Sequence, residues 1–175
     1  MKLSKIKSIV KTRKALMVTD DDTTMWVGDG HALYALFGMP MMSQRQIMQL
    51  LDIPDADIEK YAIIQPRAFM GMSFADAATG ETPVALLPIT IHAGGVPLLP
   101  VKTECGIYVL NSHHLSPFDG GDINIHLRYT ASRMPYFAVK EGMFISGIIM
   151  PQKISEKVMQ TLEQIVDLGN VEGTA

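Results

Sequence analysis

The sequence has a single cysteine, Cys105, so no disulfide can form within the chain, and the residue reads as a small side chain beside a turn. No apolar run approaches the roughly 18 residues that a membrane-spanning helix needs. The first residues interleave apolar side chains with lysines, unlike a secretory signal, so no membrane partner and a cytoplasmic location are expected. Charged residues are scarce at 19%, whereas hydrophobic ones reach 47%, which excludes wholesale disorder and suits a buried core. Also missing are G-x-G-x-x-G, a P-loop and a G-x-S-x-G elbow. His92-Ala93-Gly94-Gly95 is similar to an oxyanion-hole loop, but without the elbow it supports no hydrolase. Nothing here demands catalysis, and no cofactor is expected.

Acid is absent from one stretch in particular. The first 14 positions hold no Asp or Glu but six bases, Lys2, Lys5, Lys7, Lys11, Arg13 and Lys14. Of 15 basic residues this leaves nine against 18 acidic ones, although the net charge is only −3. Leu3, Ile6, Ile9 and Val10 share one arc of a helical wheel, which predicts an amphipathic helix with a basic outer face. Such asymmetry marks either an anionic partner or a solvated helix face.

The chain also says one thing twice. MWVGDGHALYAL (25–36) matches IYVLNSHHLSPF (107–118) at a constant spacing of 82 residues, with Val27, His31, Leu33 and Gly38 recurring as Val109, His113, Leu115 and Gly120. QIMQLL (46–51) likewise echoes KVMQTL (157–162). A spacing this long, with two copies, argues against a solenoid and for a duplicated unit. The expected organisation is two pseudo-symmetric halves, 1–85 and 86–175, within one compact α+β unit. Residues 15–38 and 97–120 should then form the same hairpin.

Local signals fill in the rest. ALMV, TMWV and HALYAL read as strands, with Asp29-Gly30 turning between the last two. Ser43 should cap a helix ending near Leu51. AII (62–64) and AFMGMSF (68–74) read as strands, and DAATGETP as an exposed loop. LLPITIH and VPLLPV flank Gly94-Gly95 as a hairpin, and Pro88, Pro97 and Pro100 place them at edges or strand ends. GIYVLN, INIHLRYT, YFAVK and MFISGIIM complete the strands. Ser155 should start a last helix running to about Leu168, with GNVEGTA frayed.

Five histidines invite a metal hypothesis. Under the repeat, Asp29 and His31 could face Asn111, His113 and His114, a set suited to zinc. Their spacing matches no established ligand pattern, so turn or strand roles are favoured and no metal is expected. The 13 methionines, Met39, Met41 and Met42 among them, read as core filling before an adaptable binding surface. Trp26 and its counterpart Tyr108 read as core.

Two segments resemble a known family. Val27-Gly28-Asp29-Gly30-His31-Ala32-Leu33 is similar to the V-A-T-D-G-H-R-L strand of bacterial DNA-polymerase sliding clamps, and Ile148-Ile149-Met150-Pro151-Gln152-Lys153-Ile154 to their terminal apolar strand ending M-P-M-R-L. Ala32, Gln152 and Lys153 differ from that pattern. The resemblance implies antiparallel sheets with a few helices in duplicated units, and a non-enzymatic ring-forming scaffold. It also implies double-stranded DNA as partner, contacted by the six basic residues above. Replication or scaffold proteins would bind a groove bordered by Met150 and Pro151, and the chain would act as a homo-oligomer. Three alternatives stand beside it: a protein-binding module without a nucleic-acid role, a structural assembly protein, and a small metal-dependent enzyme using the histidine turns.

Overall fold

The computed structural model describes residues 1–69 and 71–172, without the side chains of Ala68 and of residues 167–172. Apolar residues at i, i+3 and i+4 make α1 (Leu3–Arg13), which buries Ile6, Ile9 and Val10. Lys14, in the left-handed conformation, ends it. A meander follows, β1 (Ala15–Asp20), β2 (Met25–Gly28) and β3 (Ala32–Leu36). The β2–β3 turn is tight: a methyl group on Gly28 would lie 1.7 Å from the Ala32 carbonyl oxygen, so only glycine fits. Ser43 and Gln46 form a reciprocal capping box that starts α2 (Gln44–Leu50).

The middle of the chain supplies β4 (Ala62–Ile63), β5 (Thr82–Leu86), β6 (Ile91–Ala93), β7 (Val96–Thr103) and β8 (Gly106–Asn111). The short α3 (Ser112–Leu115) and a 3-10 turn (Ser116–Phe118) lead into a second meander. Its strands are β9 (Ile123–Tyr129), β10 (Pro135–Glu141) and β11 (Phe144–Ile149), and α4 (Glu156–Glu172) follows. The strands join in one sheet in the order β4-β1-β2-β3-β11-β10-β9-β5-β7-β6, with β8 beside β7. Every pairing is antiparallel except the two-residue β1–β4 ladder. The fold is α+β, as the strand-rich pattern implies. The β3–β11 and β5–β9 ladders both join residues from either side of the 85/86 line.

Period-two alternation assigns the strands two faces. One carries Leu16, Val27, Tyr34, Phe137 and Ile149 and is covered by α1, α2, α3 and the 3-10 turn after α3. The other carries Met17, Trp26, Leu33, Tyr136 and Ile148 and is covered by the chain around Phe69, Met72 and Phe74. That covering segment corrects the strand expected over 68–74: it enters through a 3-10 turn (Pro66–Phe69) and lays side chains on the sheet instead of joining it. Of the prolines, Pro88 lies beyond the end of β5 and Pro97 beside the start of β7, as expected of strand ends, whereas Pro100 lies inside β7. Strand β7 has neighbours on both sides, and Pro100 serves as an acceptor, its carbonyl taking the Leu87 N–H at 2.8 Å. The last helix runs to Glu172, past the expected end at Leu168, and residues 173–175 lie outside those described.

The 82-residue match does not mark a shared hairpin. Ala32–Leu36 is a strand, whereas the matching residues 114–118 end a helix and continue as a 3-10 turn. What the two stretches share is smaller. The Asp29 carboxylate accepts the His31 N–H at 2.9 Å, and the Asn111 side chain accepts the His113 N–H at 3.0 Å. Both are side-chain turns at the end of a strand, which explains the recurring Asp/Asn and His without duplication. Beyond the turn the chains part, because Pro117 cannot donate to a ladder and Asn111 instead caps a helix. What does recur is a helix followed by a three-strand meander, α1–β1–β2–β3 and then α3–β9–β10–β11, joined through β3 and β11.

Candidate nucleic-acid interface

Helix α1 lies on the sheet by its apolar side, so its polar side is set by the helical repeat. Ser4, Ser8 and Thr12 recur every four residues and form an exposed hydroxyl stripe. Lys5 flanks this stripe on one side, and Lys7 and Lys11 flank it on the other. The six predicted bases are not equivalent. Lys7 forms an ion pair with Asp52, and Lys11 donates to the Asp52 carbonyl at 2.7 Å. Arg13 reaches inward, with Nε 3.7 Å from the Asp29 carboxylate and a terminal nitrogen 3.3 Å from His31 Nδ1. Lys2, Lys5 and Lys14 are exposed and form no ion pair among the described residues.

The start of this helix runs against helix stability. Its first turn has no acid and no side-chain cap, yet Lys2 and Lys5 stand at the positive end of the helix dipole. A carboxylate there would stabilise the helix, and a lysine does the reverse. Cations at an uncapped N-terminus beside free hydroxyls make a surface that suits an anion.

Beneath the C-terminal end of α1 sits a buried polar group. Asp29 is fully buried and accepts from the backbone N–H groups of His31 and Ala32 at 2.9 and 3.0 Å. Its other oxygen is 3.1 Å from His114 Nε2, and His114 is itself buried. Burial works against ionisation of Asp29, but the hydrogen bond and charge of His114, with the two N–H donors, outweigh it and hold its pKa at about 2. Tyr34 ties the pair to the core by donating its hydroxyl to the His114 carbonyl at 2.9 Å. Asp29 and His114 thus meet, His31 stands beside them with its ring 6.4 Å from that of His114, and His113 faces solvent. Among the described residues no three His, Cys, Asp or Glu side chains are placed to hold a metal ion. Chelation with EDTA is therefore expected to leave the melting temperature unchanged, and a drop of several degrees in a thermal scan would contradict this.

The two segments that carry the clamp resemblance are neighbours, although they lie far apart in sequence. Leu33 pairs with Ile148, and the Met150 N–H donates to the His31 carbonyl at 2.8 Å. Met150 and Pro151 are half-buried, and Gln152 continues to β8 by donating to the Val109 carbonyl at 2.7 Å. Beside them a cleft of about 310 Å³ is lined by Arg13, Val96, Asn111, Gln152, Lys153 and Val158, the last from α4.

Comparison with known proteins gives no name. No family model, curated protein or solved structure matches the chain significantly. None of the described helices is long and apolar enough to cross a membrane.

Sequence reading found the basic helix and set Asp29 against the turn histidines, but did not single out His114 among them as its partner. It also missed Arg128, Glu81 and Lys140. A basic residue inside the apolar run INIHLRY was the available signal for that second network.

Proposed function

We propose that this chain is a non-enzymatic, clamp-like scaffold that associates with double-stranded DNA through the exposed side of α1. The observation that carries the reading is the uncapped, acid-free first turn of α1, with Lys2, Lys5 and the Ser4–Ser8–Thr12 stripe directed at solvent. Small hydroxyls between lysines let a phosphate backbone approach closely and accept hydrogen bonds, while the lysines displace its counterions. The resemblance of 27–33 and 148–154 to sliding clamps, and the twofold occurrence of a helix before a three-strand meander, support the same reading. Met150 and Pro151 are the residues through which replication or scaffold proteins would bind. With Lys7 and Lys11 held by Asp52, one copy offers few free charges, so useful affinity requires a homo-oligomer that arrays several α1 helices along one duplex.

The test is retention of a random-sequence duplex, followed by fluorescence anisotropy across a salt series together with a light-scattering mass. Binding is expected at about 50 mM salt and should weaken steeply by about 200 mM. K2E/K5E should abolish it, while each single lysine-to-alanine change should lower the salt slope by about one. The alanine changes should alter stability by no more than about 0.5 kcal/mol, whereas K2E/K5E places carboxylates at the positive end of the helix dipole and should raise it by about 0.3–1 kcal/mol per site. An assembled oligomer that ignores DNA at low salt would refute the reading and favour a protein-binding scaffold.

A further inference from the structure

We infer that the end of the sheet opposite the β2–β3 turn is a docking surface for a cationic, apolar peptide segment of a partner protein. Several chain segments meet there. The register pairs Asp20 with Met25, Met25 with Leu36, and Glu141 with both Phe144 and Ile123. The end of β1, the start of β2, the end of β3, the β10–β11 turn and the start of β9 therefore share one rim.

This rim is apolar where proteins ordinarily are not. Phe37 is 51% exposed, Phe144 63% and Met143 83%. Phe37 and Phe144 form common walls of two clefts. One, of about 620 Å³, runs down to Trp26 and Phe74 beside Asp21. The other, of about 350 Å³, is bounded by Glu141 and Ser146. A third, of about 630 Å³, opens on the far side of Met143. Large exposed aromatic side chains flanking concave space are the common form of a recognition site.

Ser146 points to a ligand independently. It is 1% exposed, it lines the Phe37–Phe144 cleft, and its hydroxyl has no hydrogen-bond partner among the described residues. A buried hydroxyl without a partner is uncommon, because it gives up its water without a replacement. A backbone carbonyl of a chain lying in the cleft would accept from it.

Charge selects the occupant. Asp20, Asp22, Asp76 and Asp122 are exposed around this rim, and Asp21 is held ionised, its burial outweighed by hydrogen bonds from Thr23, Trp26 and Thr24. Of the nearby cations, Lys140 is engaged by Glu81 and the amino terminus by Glu141, while Lys2 lies beside Gly120 at the margin of the rim. Nucleic acid and anionic membrane surfaces are repelled by such a rim, whereas lysine or arginine beside an apolar anchor is attracted. A second copy is a poor occupant. Its own basic amphipathic segment, α1, has Ile6, Ile9 and Val10 buried in its core. The partner thus inserts a leucine or aromatic side chain between Phe37 and Phe144 and sets its cations against the aspartates.

The experiment uses the full chain and three labelled peptides of equal length. One alternates Lys with Leu and Phe, one has Glu for Lys, and one has Ser for Leu and Phe. Anisotropy is expected to show binding of the first alone, with about 10-fold or greater loss in F37A/F144A and weaker binding in S146A. D22N/D122N should reduce both affinity and its salt dependence. Amide shift mapping on the unmodified chain provides a readout that does not depend on the variants folding, and should move Phe37, Met143 and Ser146. Equal binding of the Ser peptide or by F37A/F144A, absence of binding, or shifts elsewhere would each overturn the proposal. So would a dimer that F144A dissociates, because the patch would then belong to a second copy.

Discussion

Replacing Arg128 with methionine should lower the unfolding free energy by about 3–5 kcal/mol, the usual penalty for breaking a buried charge pair from one side. Arg128 is 2% exposed. It donates to Glu81 at 2.8 Å and to the backbone carbonyls of Ser73, Ala75 and Asp76 at 3.1, 2.9 and 3.2 Å. Lys140 reaches the other Glu81 oxygen at 2.6 Å, and the Tyr136 hydroxyl accepts the Ser73 N–H at 2.9 Å. One guanidinium therefore fastens residues 73–81 across the sheet face that carries Trp26 and Ile148. Methionine matches its length but leaves three carbonyls and half of a carboxylate without donors. Urea titration should show the loss, and hydrogen exchange should show 73–81 opening before the sheet. A change below about 1 kcal/mol would mean that the covering segment is held by Phe69 and Met72 alone. Lys140→Met should cost less, because Arg128 still neutralises Glu81. Burial opposes ionisation of Glu81, but hydrogen bonds from Lys140 and Arg128 keep its pKa below the ordinary value.

Asp29→Ala is the second large effect, again about 3–5 kcal/mol, since it strips the partner from buried His114 and the acceptor from two turn N–H groups. It carries a pH signature. The folded pKa of about 2 lies below the ordinary value of 3.8, so ionised Asp29 stabilises the fold above the ordinary value. That contribution, on the order of 2 kcal/mol, is lost as the pH falls from about 4 to about 2. Glu81 adds to the same acid limb, its contribution disappearing as the pH drops through its own depressed pKa. Stability measured by urea at stepped pH should thus fall more steeply below pH 4 in the wild type than in Asp29→Ala. Parallel curves would show that the Asp29–His114 contact is not maintained in solution.

Much of the fold was legible because it is written locally. The spacing of Ile6, Ile9 and Val10, the Ser43 cap, the Asp29-Gly30 turn and the apolar run in YFAVK each name an element without reference to the rest. The errors came where similar local chemistry has different continuations. Asp29 and Asn111 make the same turn, and only the residues that follow decide between strand and helix. Phe69 and Met72 look like strand residues because both strands and covering segments need apolar side chains. The site was less legible than the fold. A basic face can be seen in sequence, but which lysines are free depends on Asp52, which sits far along the chain. Arg128 and Glu81 become partners only through the β5–β9 pairing.

The placement of the shortest strands bears on how the protein behaves when crowded. Long strands such as β9 and β10 lie inside the sheet; one end is β4, of two residues, while towards the other β6, of three residues, and β8, of six, each pair with β7 alone. The parallel β4 occupies the outer side of β1 at Ala15 and Leu16, and the rest of that strand runs into Asp20, Asp21 and Asp22. A neighbouring molecule seeking to extend the sheet beside β1 finds few open backbone groups to register against and a cluster of like charge, whereas on β8 the Gln152 N–H engages only the Val109 carbonyl. The β1 end thereby resists edge-to-edge addition, and fibrillar growth, were it to start, would start from β8.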